Sequence, residues 1–272
     1  MRFGDIDIYM EKHGGGPPLV MVHGGPGLTH EVFKPHLERA AEFATVYFYD
    51  QRGCGRSTRL TNDISCKLDD HIADLEGLRS SAGIQRMTLL GHSWGAYLAL
   101  AYSVKYPDRV KKLMLVSPTL PYPETEEHLH RWYSLLTPSM RREIHNITMS
   151  AIPENEKELK RLHVMLPLYF HNLVAMDDFR RRGIRLCGKV AEYIATEGDL
   201  VDLRPAIEKL RLPARIFAGR HDMRTPLSYA QELENHLYFV RLHIFASSGH
   251  FPFLEQPEDF ITLLRAELST TE

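Results

Sequence analysis

Three residues far apart in the sequence have types and settings that could do chemistry together. Ser93 sits between glycines in Gly91–His92–Ser93–Trp94–Gly95, Asp222 closes the apolar run Ala214–Gly219 after two polar residues, and His250 follows Ser247–Ser248–Gly249. A serine hydroxyl attacks a carbonyl poorly until a base takes its proton. An imidazole serves as that base when an acidic partner fixes its tautomer. The expected chemistry is acyl transfer, with Ser93 as nucleophile, His250 as proton shuttle and Asp222 as the orienting acid.

Such a reaction also needs donors for a developing oxyanion. The first helical N–H after the serine, that of Trp94, is one candidate. The loop His23–Gly24–Gly25–Pro26–Gly27 supplies the other, because glycines let backbone approach a substrate closely. Gly25 is the expected donor and Gly24 the alternate. Asp199 and Asp202 are rival acids. Among the histidines, His243 lies within a strand pattern and His221 adjoins the acid, so both read as structural. His92 is expected to point away from the serine. His128 and His130 have no third ligand in view, so no metal site is expected. Cys54 reads as a packing residue of its Gly-rich loop, and the Arg180–Arg182 run as a solvated helix face. No phosphate-binding glycine loop is present.

These residues need elements to hold them. Pro18–Val22 and Thr45–Tyr49 are short apolar runs ending in Gly-rich loops, the pattern of buried parallel strands. Leu68, Ile72, Leu75 and Leu78 share a helical face that Gly83 ends. A strand over 86–91, a helix over 94–105 and a strand near 110–118 follow. Residues 30–43 have roughly helical spacing, with Pro35 in the first turn. From about 119 to 199 the pattern is helical, proline-punctuated and without a credible strand. Strand and helix then alternate again, through Ala214–Asp222, 227–237, 240–250 and a last helix from Pro257. The expectation is an α/β core over 1–118 and 200–272, interrupted at 119–199 by a helical cap. In doubly wound sheets, loops at the carboxyl ends of strands carry the functional groups, and all three candidates fall on such loops.

Composition narrows the partners. The 272 residues carry 33 Lys and Arg against 35 Asp and Glu, a formal charge of −2. That balance gives no reason to expect a nucleic acid. No window approaches the run of about 18 apolar residues that a membrane helix needs. Three cysteines without CxxC spacing argue against a disulfide framework and for a reducing, cytoplasmic setting. A small-molecule or short-peptide substrate and no cofactor are expected.

Together these motifs resemble the α/β-hydrolase superfamily, whose triad runs in the order Ser, Asp, His along the chain. "HGGPG" at 23–27, "YDQRGCGRS" at 49–57 and "GHSWGAYLAL" at 91–100 are similar to the prolyl iminopeptidase branch, while "SGHFPFLEQPEDF" is shared more widely. The resemblance implies a serine peptidase that releases N-terminal proline or another small residue. Acidic groups near the cap would hold the substrate's free amine, and Glu192, followed by Tyr193, is the position carried over for that role. Met223 stands where some relatives have a second carboxylate. A carboxylesterase or lactonase acting on small neutral esters uses the same machinery and remains open. A ligand receptor built on the hydrolase fold is the third reading.

Overall fold

A computed structural model describes residues 1–3, 6–61 and 63–270. Seven strands form the central sheet: β1 (Met10–His13), β2 (Pro18–Val22), β3 (Thr45–Tyr49), β4 (Met87–His92), β5 (Val110–Val116), β6 (Pro213–Gly219) and β7 (Phe239–Phe245). Their order is β1-β3-β2-β4-β5-β6-β7. Only β1 is antiparallel, pairing with β3; the remaining neighbours are parallel. A separate two-stranded pair, Arg2–Phe3 with Ile6–Asp7, precedes the sheet.

The side-chain alternation of the strands divides the core in two. Val20, Val22, Leu89, Leu113, Leu115 and Ile216 face one apolar layer, which includes α1 (Leu68–Ser81) and α2 (Trp94–Lys105). Their strand neighbours Leu19, Met21, Leu90, Met114, Val116 and Phe217 face the other. Residues one apart on a strand point to opposite faces, so near-continuous apolar runs are required when both faces are covered. The result is an α/β-hydrolase fold: a mostly parallel sheet flanked by helices.

Between β5 and β6 the chain forms α3 (Glu126–Ser134), α4 (Pro138–Met149), α5 (Glu154–Met165), α6 (Leu173–Arg181) and α7 (Gly188–Glu197). This segment leaves the sheet at the carboxyl end of β5. It sends Leu166, Phe170, Met176 and Phe179 into one core layer and Val190 and Ile194 into the other. After β6 come α8 (Leu227–His236), then β7, then α9 (Pro257–Ser269). Among the described residues, no helix is long and apolar enough to cross a membrane.

One expectation is corrected. Residues 30–43 do not make a continuous α-helix but two 3-10 segments, His30–Phe33 and His36–Glu42, parted at Pro35. The proline has no N–H to donate, and its ring crowds the preceding turn, so the helical ladder stops there. The apolar spacing still buries Val32, Phe33, Leu37 and Ala40.

The join between β4 and α2 is the tightest part of the fold. Ser93 has φ 55° and ψ −118°, a left-side conformation costly for any residue with a Cβ. Gly95 sits against β2, and a Cβ there would fall inside the radius of the Val22 carbonyl oxygen. We expect Gly95→Ala to lower stability by about 1–3 kcal/mol, the usual cost of overpacking a core. Thermal and urea unfolding would measure the loss. Any activity that depends on Ser93 should fall with it, because a shift between strand and helix moves the serine.

Candidate active site

Asp222 leaves the carboxyl end of β6, and its carboxylate is held from all sides. Oδ1 accepts from the main-chain N–H groups of Arg224 and Thr225, both at 2.8 Å. Oδ2 accepts from the Thr225 hydroxyl at 2.7 Å and from His250 Nδ1 at 2.7 Å. Since a carboxylate offers only acceptors, Nδ1 carries the imidazole proton and Nε2 is left as the free base. Asp222 and His250 are 6% and 2% exposed, so solvent does little to screen the pair.

The loop after β7 is fixed by a second carboxylate. Glu255 is buried and, among the described residues, has no cationic partner. Its Oε1 accepts from the N–H groups of Gly249 and Phe251, at 2.8 and 3.3 Å, on either side of His250. Its Oε2 accepts from His171 and Asn172 of the segment between β5 and β6, at 2.7 and 2.9 Å. Burial pushes this carboxyl up, and the four N–H groups pull it down. Tyr169 adds to the same link: its carbonyl accepts from the His250 N–H at 2.6 Å, and its ring meets the imidazole edge-on at 5.3 Å.

Ser93, His250 and Gly25 line one cavity of about 160 Å³. The Ser93 hydroxyl has no hydrogen-bond partner among the described residues, and its main-chain N–H is spent on the Val116 carbonyl at 2.9 Å. Catalytic contacts of this kind are often long in an empty site and tighten on substrate. The structure therefore brings the Asp222–His250 pair together by a direct bond, and Ser93 to the same cavity.

The glycine loop is oriented by His23. Its Nε2 accepts from the Gln51 N–H at 3.0 Å, so Nδ1 bears the proton and donates to the Gly24 carbonyl at 3.0 Å. A trans peptide holds C=O and N–H antiparallel, so pinning the Gly24 oxygen aims the Gly25 N–H the other way. Gly25 itself has φ +122°, open only to glycine. Burial lowers the His23 pKa to about 4, keeping the ring neutral as this arrangement requires. Gln51 then ties both candidate donors together. Its Nε2 donates to the His23 carbonyl at 2.6 Å, and its Oε1 accepts from the Trp94 indole at 3.0 Å. The Trp94 side chain is buried and does not line the cavity, so only its main-chain N–H is a candidate donor.

Other candidates fall elsewhere. Asp199 pairs with Lys67 at 2.6 Å and Asp202 with Arg204 at 2.6 Å. His243 bonds Glu267 at 3.0 Å within β7, and His221 stacks on His171 at 3.8 Å. His92 does not point away: it lines the cavity, packs 4.8 Å from the His250 ring and donates through Nε2 to the His250 carbonyl at 3.0 Å. Its burial holds the ring neutral. His128 bonds the Thr125 hydroxyl at 2.7 Å at the start of α3. Arg180 and Arg181 pair with Asp177 and Asp178, while Arg182 turns in to the Glu31 carbonyl at 2.7 Å. Cys54 is buried, and desolvation raises its thiol well above the ordinary value.

Glu192 is a correction. The helix α7 buries Val190 and Ile194, four apart, so Glu192 midway between them lies on the opposite, exposed side. Its neighbour Ala191 lines the cavity instead. The carboxylate at the cavity wall is Glu158 of α5, already bonded to Arg161. Arg224 also lines the cavity, its guanidinium bonded to both oxygens of Glu124 at 2.6 and 3.1 Å and lying 5.2 Å from the Trp132 ring.

A strained serine at a strand-to-helix turn, a carboxylate–imidazole pair and a glycine loop, all at the carboxyl edge of a parallel sheet, define the hydrolase class of doubly wound proteins. Residues 17–257 match the alpha/beta hydrolase fold family, and the chain belongs to it; it is a hydrolase. Over 264 residues it is 30% identical to the proline iminopeptidase of Lactobacillus delbrueckii subsp. lactis, spanning 91% of this chain and 88% of that one. The proline iminopeptidase of Heyndrickxia coagulans is 26% identical over 266 residues, 93% of this chain and 91% of that protein. Among solved structures, the esterase EaEST from Exiguobacterium antarcticum superposes with a TM-score of 0.78 at 22% identity, covering 97% of this chain and 96% of its own.

Two outcomes follow from this geometry. Gln51→Ala should lower kcat by about 10²-fold with a smaller change in KM, since it loosens both candidate oxyanion donors at once and does not itself line the cavity. Steady-state kinetics on an activated ester measures this. Acid should also weaken the fold. His23 and His71, the latter lowered to about 3 by burial, both fall below the ordinary histidine value of 6.5. Their contribution is whole above pH 6.5 and is lost as pH falls towards about 4 and about 3. Each histidine supplies a slope of about 1.4 kcal/mol per pH unit inside its window. Urea unfolding across pH 7 to 4 would show the decline, and it should be shallower in His71→Phe.

Proposed function

We propose that this hydrolase is a serine peptidase that releases an N-terminal proline, or a residue of similar size, from short peptides. Ser93 attacks the first carbonyl, His250 takes its proton and returns it to the leaving amine, and Asp222 holds the imidazole. The N–H groups of Gly25 and Trp94 stabilise the tetrahedral intermediate. Water then repeats the sequence on the acyl-enzyme. Residues 119–199 serve as the cap over the site, and the compartment is the cytoplasm.

The observation that carries this reading is the cavity itself. Its 160 Å³ suit a proline ring, its wall is apolar at Leu28, Leu162, Met165 and Phe251, and a carboxylate, Glu158, stands at its side for the ring ammonium. The similarity to proline iminopeptidases along most of both chains supports the same substrate class.

A second reading draws on a different feature of the same wall. Glu158 is neutralised by Arg161, and Arg224 by Glu124, so no unpaired charge meets a substrate beside Ser93. A small neutral ester fits such a surface, as the esterase-like fold allows.

Proline p-nitroanilide and p-nitrophenyl butyrate, assayed side by side, separate the two. We expect turnover of the anilide, and loss of both activities by at least about 10³-fold in Ser93→Ala. Ester hydrolysis without any anilide turnover would overturn the peptidase reading in favour of the esterase.

A further inference from the structure

A second concave space adjoins the catalytic cavity. It is a cleft of about 660 Å³ between the loop after β3, helix α5 and residues 183–189. Glu158 and Leu186 line both spaces, so the two share a wall. The cleft has an apolar floor at Leu60, Leu159 and Ile184, and its rim carries three cations: Arg59, Arg185 and Lys189.

The charges around it do not balance. Glu154 already binds Arg161 at 2.6 Å and Lys157 at 3.4 Å, and Glu158 binds Arg161. Arg59, Arg185 and Lys189 make no ion pair with any described residue. Three like charges around one concavity repel one another. They raise a positive potential there that favours an anionic ligand.

The catalytic cavity, at about 160 Å³, has the room of about one residue, so a longer peptide needs a neighbouring space for its remainder. The cleft is the adjoining space with room for one or two further residues. We propose that this cleft is a substrate subsite that binds the C-terminal carboxylate of a short peptide through Arg59, Arg185 and Lys189. The proposal rests on the peptidase reading. It makes the enzyme selective for di- and tripeptides, whose carboxylate falls within the cleft, over longer chains or blocked ends.

The test compares Pro-Ala-Ala with its C-terminal amide, reading kcat/KM from released proline. The expected preference for the free acid is about tenfold, the combined effect of a few exposed charge pairs. It should shrink as sodium chloride is raised. In the triple variant Arg59→Gln/Arg185→Gln/Lys189→Gln the acid-to-amide ratio should fall to about one, and the single Lys189→Glu should lower it in the same direction. A ratio is internal to each variant, so partial loss of folded enzyme cannot imitate the result. Equal hydrolysis of acid and amide by the unaltered enzyme, or a ratio unchanged in the triple variant, overturns the subsite and leaves the peptidase reading standing. Hydrolysis of p-nitrophenyl butyrate with neither peptide cleaved overturns both.

Discussion

The hydrogen bond between Asp222 and His250 is the constraint on which the rest of this molecule turns. A carboxylate this deeply buried is costly unless its lone pairs are filled, and four donors fill them here. Three come from residues 224 and 225, so the acid is satisfied largely by its own turn. The fourth comes from the imidazole, across a sequence gap that α8 and β7 occupy. Because those elements pack into the sheet, the two loops meet with little freedom, and the tautomer of His250 follows from their meeting. The packing of the two loops, acting through the Asp222 carboxylate, sets the tautomer of His250.

The same logic extends outward. His250 is flanked by two N–H groups that share Glu255 with two N–H groups from the helical segment between β5 and β6. A buried carboxylate with no cation is stable only while all four donors stay in place. Displacing the helical segment would therefore orphan donors on the histidine loop. The wall of the cavity and the position of the base are thus one mechanical unit. On the opposite side, Gln51 plays a comparable part between His23 and Trp94, using both ends of one amide. The serine stands between these two braces on a backbone whose strain the packing of Gly91 and Gly95 sustains.

Much of the fold was legible in the sequence, because strands buried on both faces write themselves as unbroken apolar runs ended by glycine. α2 begins at Trp94 and ends at Lys105 as the pattern predicts, and β4 and β5 lie where their β-branched and aliphatic residues placed them. Ser93, Asp222, His250 and Gly25 were readable because each stands where such a run stops. The supporting residues were not. Gln51, Glu255 and Thr225 are polar residues near turns, indistinguishable in sequence from solvated ones until long-range packing buries them. Glu192 went the other way: its helical register, set by Val190 and Ile194, turns it outward, and a two-residue offset in a helix is beyond what a resemblance alone can fix. Residues 30–43 misled for a local reason, since apolar spacing survives in 3-10 turns once proline removes the donor.

The pairing of charges around the cavity bears on how selectivity is divided. Among the described residues lining the cavity beside Ser93, Arg224 is paired with Glu124 and Glu158 with Arg161, and much of the remaining wall is apolar. A hydrophobic surface discriminates weakly, by factors of about 10–200 per methylene. Unmatched charge first occurs farther out, at the cleft rim. In the proposed reaction, the pairing beside Ser93 keeps an uncompensated cation away from the main-chain N–H groups that would meet the oxyanion. Charge recognition, where it is made, is placed at a distance from which it steers and retains substrate but adds little to the barrier itself.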